Sequence, residues 1–441
     1  MLFLDDLKIN KSKVFLFGID SDYSCFLIKL FIENEIEINL WDSDACLLIN
    51  SKNKEEFKSK YITFLSPEEV SLNNYDYIIL SKCISSNCSY CFLFNKEEIK
   101  EKLYTDFDIL QKVYPDDKFT GIFGNSGHTI VKGILKYMSN ETRLDSTDSK
   151  KMSITNFPII VSFEKLKYIK NVNFSTIIIY EYDECYFSDK NNRKSFDKLV
   201  LNNDEVKVVI SINNSDLKLL YESLYNNKDF SGKLLPISIS KILDNGISYV
   251  NGTIYDYYDN NTNYDVMENE FIDNDFTKLS VLMAYTYIRK NNLFLKDKNL
   301  MECLSLYSGE ENIFEHIKNV ENVGIVNNIL ANSNYLLQLP FKTYKNIYTI
   351  LFVNGADFDE KFFTSKSKIV FYVDKNNLLN NKFKNVFLNG KEAFDRLYSL
   401  CLLEKKEDKV IILLATTCIN KNRILFKNDI DSIKNLLKEI E

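Results

Sequence analysis

The chain has 441 residues, 45% apolar and 27% charged, with only 5 Pro and 12 Gly, a globular composition long enough for roughly two to four domains. Its formal charge is −7, from 55 basic and 62 acidic side chains without a long basic run, so it carries no electrostatic footprint for nucleic acid. Asp5 and Asp6 interrupt the N-terminal apolar stretch, and later apolar runs end well short of the roughly 20 residues a membrane span needs, so the expectation is a cytoplasmic protein without membrane insertion.

In chain order, Lys13–Gly18 reads as a buried strand, Ser24–Ile32 as a helix and Ile36–Asp42 as a second strand, a βαβ opening. Asp42 stands where a Rossmann unit places its ribose carboxylate, but the turn after Gly18 lacks the G-x-G-x-x-G glycines, so a dinucleotide site is not indicated. Tyr75–Leu80 gives a further strand. Nine scattered cysteines fit reduced thiols, and the cluster Cys83, Cys88 and Cys91 lacks a fourth zinc ligand. Residues 95–112 read as a charged connection.

Beyond it, an apolar strand, Phe119–Phe123, runs into Gly124-Asn125-Ser126-Gly127-His128-Thr129 and then an amphipathic helix. Small residues let backbone N–H groups approach phosphate oxygens, and a helix beginning there directs its positive dipole end at them. A P-loop has Lys ahead of its Ser/Thr. This loop has His128, a side chain mostly neutral at pH 7. Strands are expected at Phe157–Ser162, Thr176–Tyr180 and Val206–Ile212, a hairpin within 245–265 marked by Asn245-Gly246 and Asn251-Gly252, and helices over 275–306. The last third repeats the α/β alternation with strands at Val323–Asn327, Ile347–Val353, Ile369–Val373 and Lys409–Leu414, and ends in a helix from about Ile430.

A first α/β unit without a dinucleotide fingerprint, a central unit opened by a small-residue loop, and a third α/β unit together resemble the Mur ligases. Their loop reads G-[TS]-N-G-K-[ST]; residues 124–129 match both glycines and the hydroxyl and depart at the lysine. Asp106-Phe-Asp-Ile-Leu110, Ile212-Asn-Asn-Ser-Asp216 and Leu413-Leu-Ala-Thr-Thr-Cys418 follow in the family's order. The resemblance implies an α/β fold in three domains: an N-terminal Rossmann-like UDP-sugar domain (1–112), a central P-loop-type ATPase domain (113–306) and a C-terminal Rossmann-like domain (307–441).

It also implies an activity, ATP-dependent amide ligation in peptidoglycan precursor synthesis by a monomer. ATP with Mg²⁺ converts the carboxylate of UDP-N-acetylmuramoyl-L-alanine to an acyl phosphate, the amine of D-glutamate displaces phosphate, and ADP leaves. The matching positions are Gly124, Asn125, Ser126, Gly127, His128, Thr129 and Asp275 for the nucleotide, Thr129 and Glu184 for the metal, and Lys198 with His128 for catalysis. Other positions depart from the pattern. Ile159 stands where a metal-serving Glu is expected, and Asn312–Glu315 and Asn327–Ser333 lack the family's Arg and Lys. Charge on a transferring phosphoryl group needs such cations, and each lost contact typically costs about 10²- to 10³-fold in rate. Weak turnover is one expectation. The other is an inactive homologue that binds nucleotide, UDP-sugar or a protein partner.

Overall fold

The computed structural model describes the chain apart from residues 1, 20–21, 43–47, 50–51, 53–54, 82–93, 95, 125–129, 132, 136, 138–158, 162, 167, 181–189, 204, 259–261, 267–271, 273, 291–296, 310–313, 321, 330–333, 354–359, 376–377, 380–382, 404–408, 418–425 and 440–441. The first sheet contains β1 (Val14–Phe17), β2 (Ile38–Trp41), β3 (Ile62–Thr63), β4 (Tyr77–Leu80) and β5 (Leu103–Thr105), all parallel, in the order β3-β2-β1-β4-β5. Every residue of β1 is buried, because helices cover a parallel sheet on both faces. Those helices include α1 (Leu2–Ile9), α2 (Asp22–Glu33) and α3 (Asp106–Val113), the last packed against the other two.

β5 and α3 correct the expectation of a charged connection over 95–112. Thr105 Oγ1 accepts the Asp108 N–H at 3.2 Å while Asp108 Oδ2 accepts the Thr105 N–H at 2.8 Å, a capping box that starts α3 directly at the end of β5. A strand of three residues is too short to show alternation, and the flanking charges hid it.

The central sheet contains β6 (Phe119–Phe123), β7 (Ile159–Val161), β8 (Phe174–Ile179), β9 (Lys207–Ser211), β10 (Leu234–Ser238), β11 (Ile247–Val250), β12 (Thr253–Asp256) and β13 (Thr262–Asp265). Its order is β13-β12-β11-β10-β9-β8-β6-β7, parallel from β7 to β11 and antiparallel beyond. Asn251 and Gly252 turn β11 into β12 with φ of 52° and 77°, the paired positive values a two-residue hairpin turn requires. After β7 comes the short α4 (Phe163–Leu166); α5 (Lys190–Leu201) and α6 (Ser215–Tyr225) follow β8 and β9, and α7 (Asp275–Lys290) and α8 (Asp297–Leu306) follow the hairpin. One face of the sheet packs Ile122, Ile178 and Val209 against Ile130, Ile134 and Leu282, and the other packs Phe123, Ile177 and Ile210 against Phe196 and Leu217.

The third sheet contains β14 (Glu315–Val320), β15 (Val323–Asn327), β16 (Ile347–Phe352), β17 (Ile369–Val373), β18 (Val386–Phe387) and β19 (Val410–Thr416), in the order β14-β15-β19-β16-β17-β18 with only β14 antiparallel. The helices α9 (Asn334–Thr343), α10 (Gly390–Leu403) and α11 (Lys427–Glu439) belong to this unit, and α10 and α11 pack on one another. Among the described residues no helix is long and apolar enough to cross a membrane. Cys83, Cys88 and Cys91 lie outside the described residues.

Candidate functional site

The central sheet reverses its winding between β6 and β8. The chain leaves β6 for the helical residues 130, 131, 133–135 and 137 on one face and leaves β8 for α5 on the other, so a crevice opens at the carboxyl ends of these neighbouring strands. Open α/β sheets bind ligands at such a point. Gly124 and Tyr180 are its walls. The Gly124 N–H bonds the Val161 carbonyl at 3.2 Å, and the Tyr180 N–H bonds the Phe123 carbonyl at 2.7 Å. A Cβ on Gly124 would lie 2.1 Å from the Tyr180 carbonyl oxygen, so backbone contact alone already demands glycine there.

Tyr180 also brings α7 to the crevice. Its ring meets the Phe276 ring edge-on at 5.7 Å, and its hydroxyl lies 3.1 Å from Ser280 Oγ, which itself donates to the Phe276 carbonyl at 2.9 Å. Asp275 is the first residue of α7, next to Phe276. It is exposed, and Asn274 Oδ1 before it caps the helix by accepting the Thr277 N–H at 3.1 Å. Asp275 and Lys278 form one wall of a cleft of about 680 Å³ whose other residues include Ser240, Asn251 and Asp265, at the carboxyl end of β10 and along the hairpin.

Of the remaining sequence-predicted residues, Lys198 is exposed in the last turn of α5. Its neighbour Leu199 accepts Asn203 Nδ2 at 2.7 Å, and Asn203 Oδ1 accepts the Phe174 N–H at the start of β8. No contact among the described residues joins Lys198 to Gly124. Asn125, Ser126, Gly127, His128, Thr129 and Glu184 lie outside the described residues. Ile159 is in β7, and an aliphatic side chain offers no ligand atom to a metal. Among the described residues no three His, Cys, Asp or Glu side chains form a metal site.

Asp42 bonds the backbone that follows β1. Buried at 1% exposure, its Oδ2 accepts the Ile19 N–H at 3.0 Å and ties down the turn after Gly18, whose φ is 98°. His316 also lies in a built environment: its Nε2 is 2.8 Å from the Tyr344 hydroxyl, and burial, assisted by the Lys409 charge, lowers its pKa to about 4. Sequence reasoning missed Tyr180 and Ser280. They are 100 positions apart, and no local pattern announces a contact at that separation.

No family model matches the chain. It is 24% identical over 403 residues to a UDP-N-acetylmuramoylalanine–D-glutamate ligase of Rickettsia prowazekii, spanning 85% of this chain and 86% of that protein. With the enzyme of the same name from Rickettsia bellii it shares 21% over 429 residues, spanning 91% and 92%. In fold it is similar to the UDP-N-acetylmuramate–alanine ligase of Thermotoga maritima, with a TM-score of 0.52 at 11% identity over 97% of this chain and 98% of that one.

Proposed function

We infer that this chain, a Mur ligase homologue in sequence and in fold, is an ATP-dependent amide ligase joining D-glutamate to UDP-N-acetylmuramoyl-L-alanine, with slow turnover. The observation that carries this reading is the position of Gly124: the small-residue loop of the sequence begins at the carboxyl-end crevice of the central sheet, where the strand order reverses. End-to-end similarity to two ligases of that name supports it. The three sheets are taken as domains 1–112, 113–306 and 307–441.

In this reading residues 124–129 cradle the phosphates with backbone N–H groups, and His128 supplies the loop cation when protonated beside them. The cleft at Asp275 and Lys278 takes the rest of the nucleotide. The substrate carboxylate attacks the γ-phosphorus and ADP leaves, and the amine of D-glutamate then displaces phosphate from the acyl carbon. Thr129 and Glu184 would hold Mg²⁺, which would offset the charge of the phosphates when bound.

A second reading, an inactive homologue that binds nucleotide, UDP-sugar or a protein partner, is favoured by Ile159 at the metal-serving position and by the exposed Lys198. Thermal melting with Mg-ATP and with UDP-N-acetylmuramoyl-L-alanine tests the ligase reading, since a ligand that binds the native state raises the midpoint by mass action. Both ligands are expected to raise it. A shift with the UDP-sugar alone leaves the second reading as a sugar binder, and no shift with either contradicts the ligase reading and leaves only the partner-binding form of the second.

A further inference from the structure

Asp256, the last residue of β12, is 2% exposed, and a carboxylate buried so deeply is ordinarily paired with a cation or bound to a metal. Its Oδ2 accepts the Tyr285 hydroxyl of α7 at 3.0 Å, and that hydroxyl accepts the Arg289 Nε–H at 3.2 Å. Arg289 thus reaches Asp256 through the tyrosine, while its guanidinium carbon lies 5.0 and 5.5 Å from the ring centroids of Tyr264 and Tyr285. Among the described residues no cation touches the carboxylate directly, and Asp256 Oδ1 is buried without a hydrogen-bond partner.

A second oxygen in the same condition stands directly across the hairpin. Thr262 opens β13 and is the register partner of Asp256, which puts the two side chains on one face of the sheet with their Cβ atoms about 5 Å apart. The Thr262 hydroxyl is also buried and also unpartnered, so the two oxygens do not bond each other. The nearby tyrosine proton does not relieve Oδ1: burial and the Asp256 charge raise the Tyr285 pKa, so that hydroxyl keeps its proton and directs it at Oδ2. A carboxylate oxygen can only accept, so Oδ1 calls for a hydrogen donor or a cation from outside the chain.

We propose that a monovalent cation binds between Asp256 Oδ1 and Thr262 Oγ1 and clamps the β12–β13 hairpin to α7. A bridging water would satisfy both oxygens but leave the carboxylate charge without a counterion. A divalent ion would want more anionic ligands than one carboxylate, and no three His, Cys, Asp or Glu side chains gather among the described residues. The site is at the opposite end of the hairpin from Thr253 and Asp265, which line the cleft beside Asp275, so it is separate from the nucleotide crevice and does not depend on the ligase reading.

Thermal melting of the full chain tests it, at one ionic strength made up with tetramethylammonium, sodium or potassium chloride. Tetramethylammonium is too bulky to enter. Sodium, potassium or both are expected to raise the midpoint by about 2 °C or more above it, with a rise that saturates as the ion replaces tetramethylammonium, as mass action requires. Asp256→Asn removes the charge and should abolish this ion-specific rise. Thr262→Val removes the other oxygen, leaves the carboxylate and its Tyr285 bond in place, and should at least halve it. Equal midpoints of the wild type in all three salts, the result for a buried water alone, overturn the proposal. So does an ion-specific rise kept at full size in either folded variant, and Thr262→Val decides the matter if Asp256→Asn does not fold.

Discussion

A methyl group added at Gly124 would put its carbon 2.1 Å from the Tyr180 carbonyl oxygen, with no flexible side chain to give way. Overpacking of this kind costs about 3 kcal/mol, so Gly124→Ala should lower the urea midpoint clearly. Gly232 is the control: a Cβ there meets nothing within 4 Å, and its backbone is already right-handed helical, so Gly232→Ala should be neutral or stabilise by up to about 1 kcal/mol. His316 titrates as the second residue-scale case. Burial lowers its pKa from 6.5 to about 4, so between these values the unfolded chain binds the extra proton. Its contribution to stability is therefore complete above pH 6.5 and is lost as pH falls toward 4, with a slope approaching about 1.4 kcal/mol per pH unit. Denaturant unfolding across that range should show the slope in the wild type and a shallower one in His316→Gln. The sequence marked Gly124 as a phosphate-loop glycine. It did not reveal the contact across β6 and β8 that also requires it, because Tyr180 lies far along the chain.

At the scale of elements, the buried parallel strands were legible because β-branched runs such as those of β8, β9 and β19 are apolar on both faces. β10 was not, since Pro236 sits inside it between β9 and β11, where proline argues against a central strand. β14 was not either: its residues are all partly exposed, as befits an edge strand, and show no clean alternation. The link between β8 and α7 gives an element-scale prediction. Tyr180→Phe removes the hydroxyl contact with Ser280, whose Oγ still donates to the Phe276 carbonyl, so the cost should be about 1 kcal/mol. Because Asp275 opens the same helix, the variant should also weaken Mg-ATP binding, which calorimetry measures. An unchanged affinity would separate α7 from the nucleotide site.

For the whole molecule, three α/β units were readable from alternation alone, and among the described residues the structure shows sheets of five, eight and six strands. The candidate site was less legible, because its walls come from the ends of β6 and β8 and the first turn of α7, joined only by the fold. What the sequence did expose was the one chemical departure in the loop, His128 where a phosphate cradle has lysine. If residues 124–129 hold the phosphates of a slow ligase, restoring a permanent charge should accelerate it. The measurement is D-glutamate-dependent ADP release with UDP-N-acetylmuramoyl-L-alanine and Mg-ATP, wild type against His128→Lys. The expected result is slow but D-glutamate-dependent release by the wild type, raised about tenfold or more in the variant. Release at background in both proteins, with His128→Lys folded, would contradict the ligase reading.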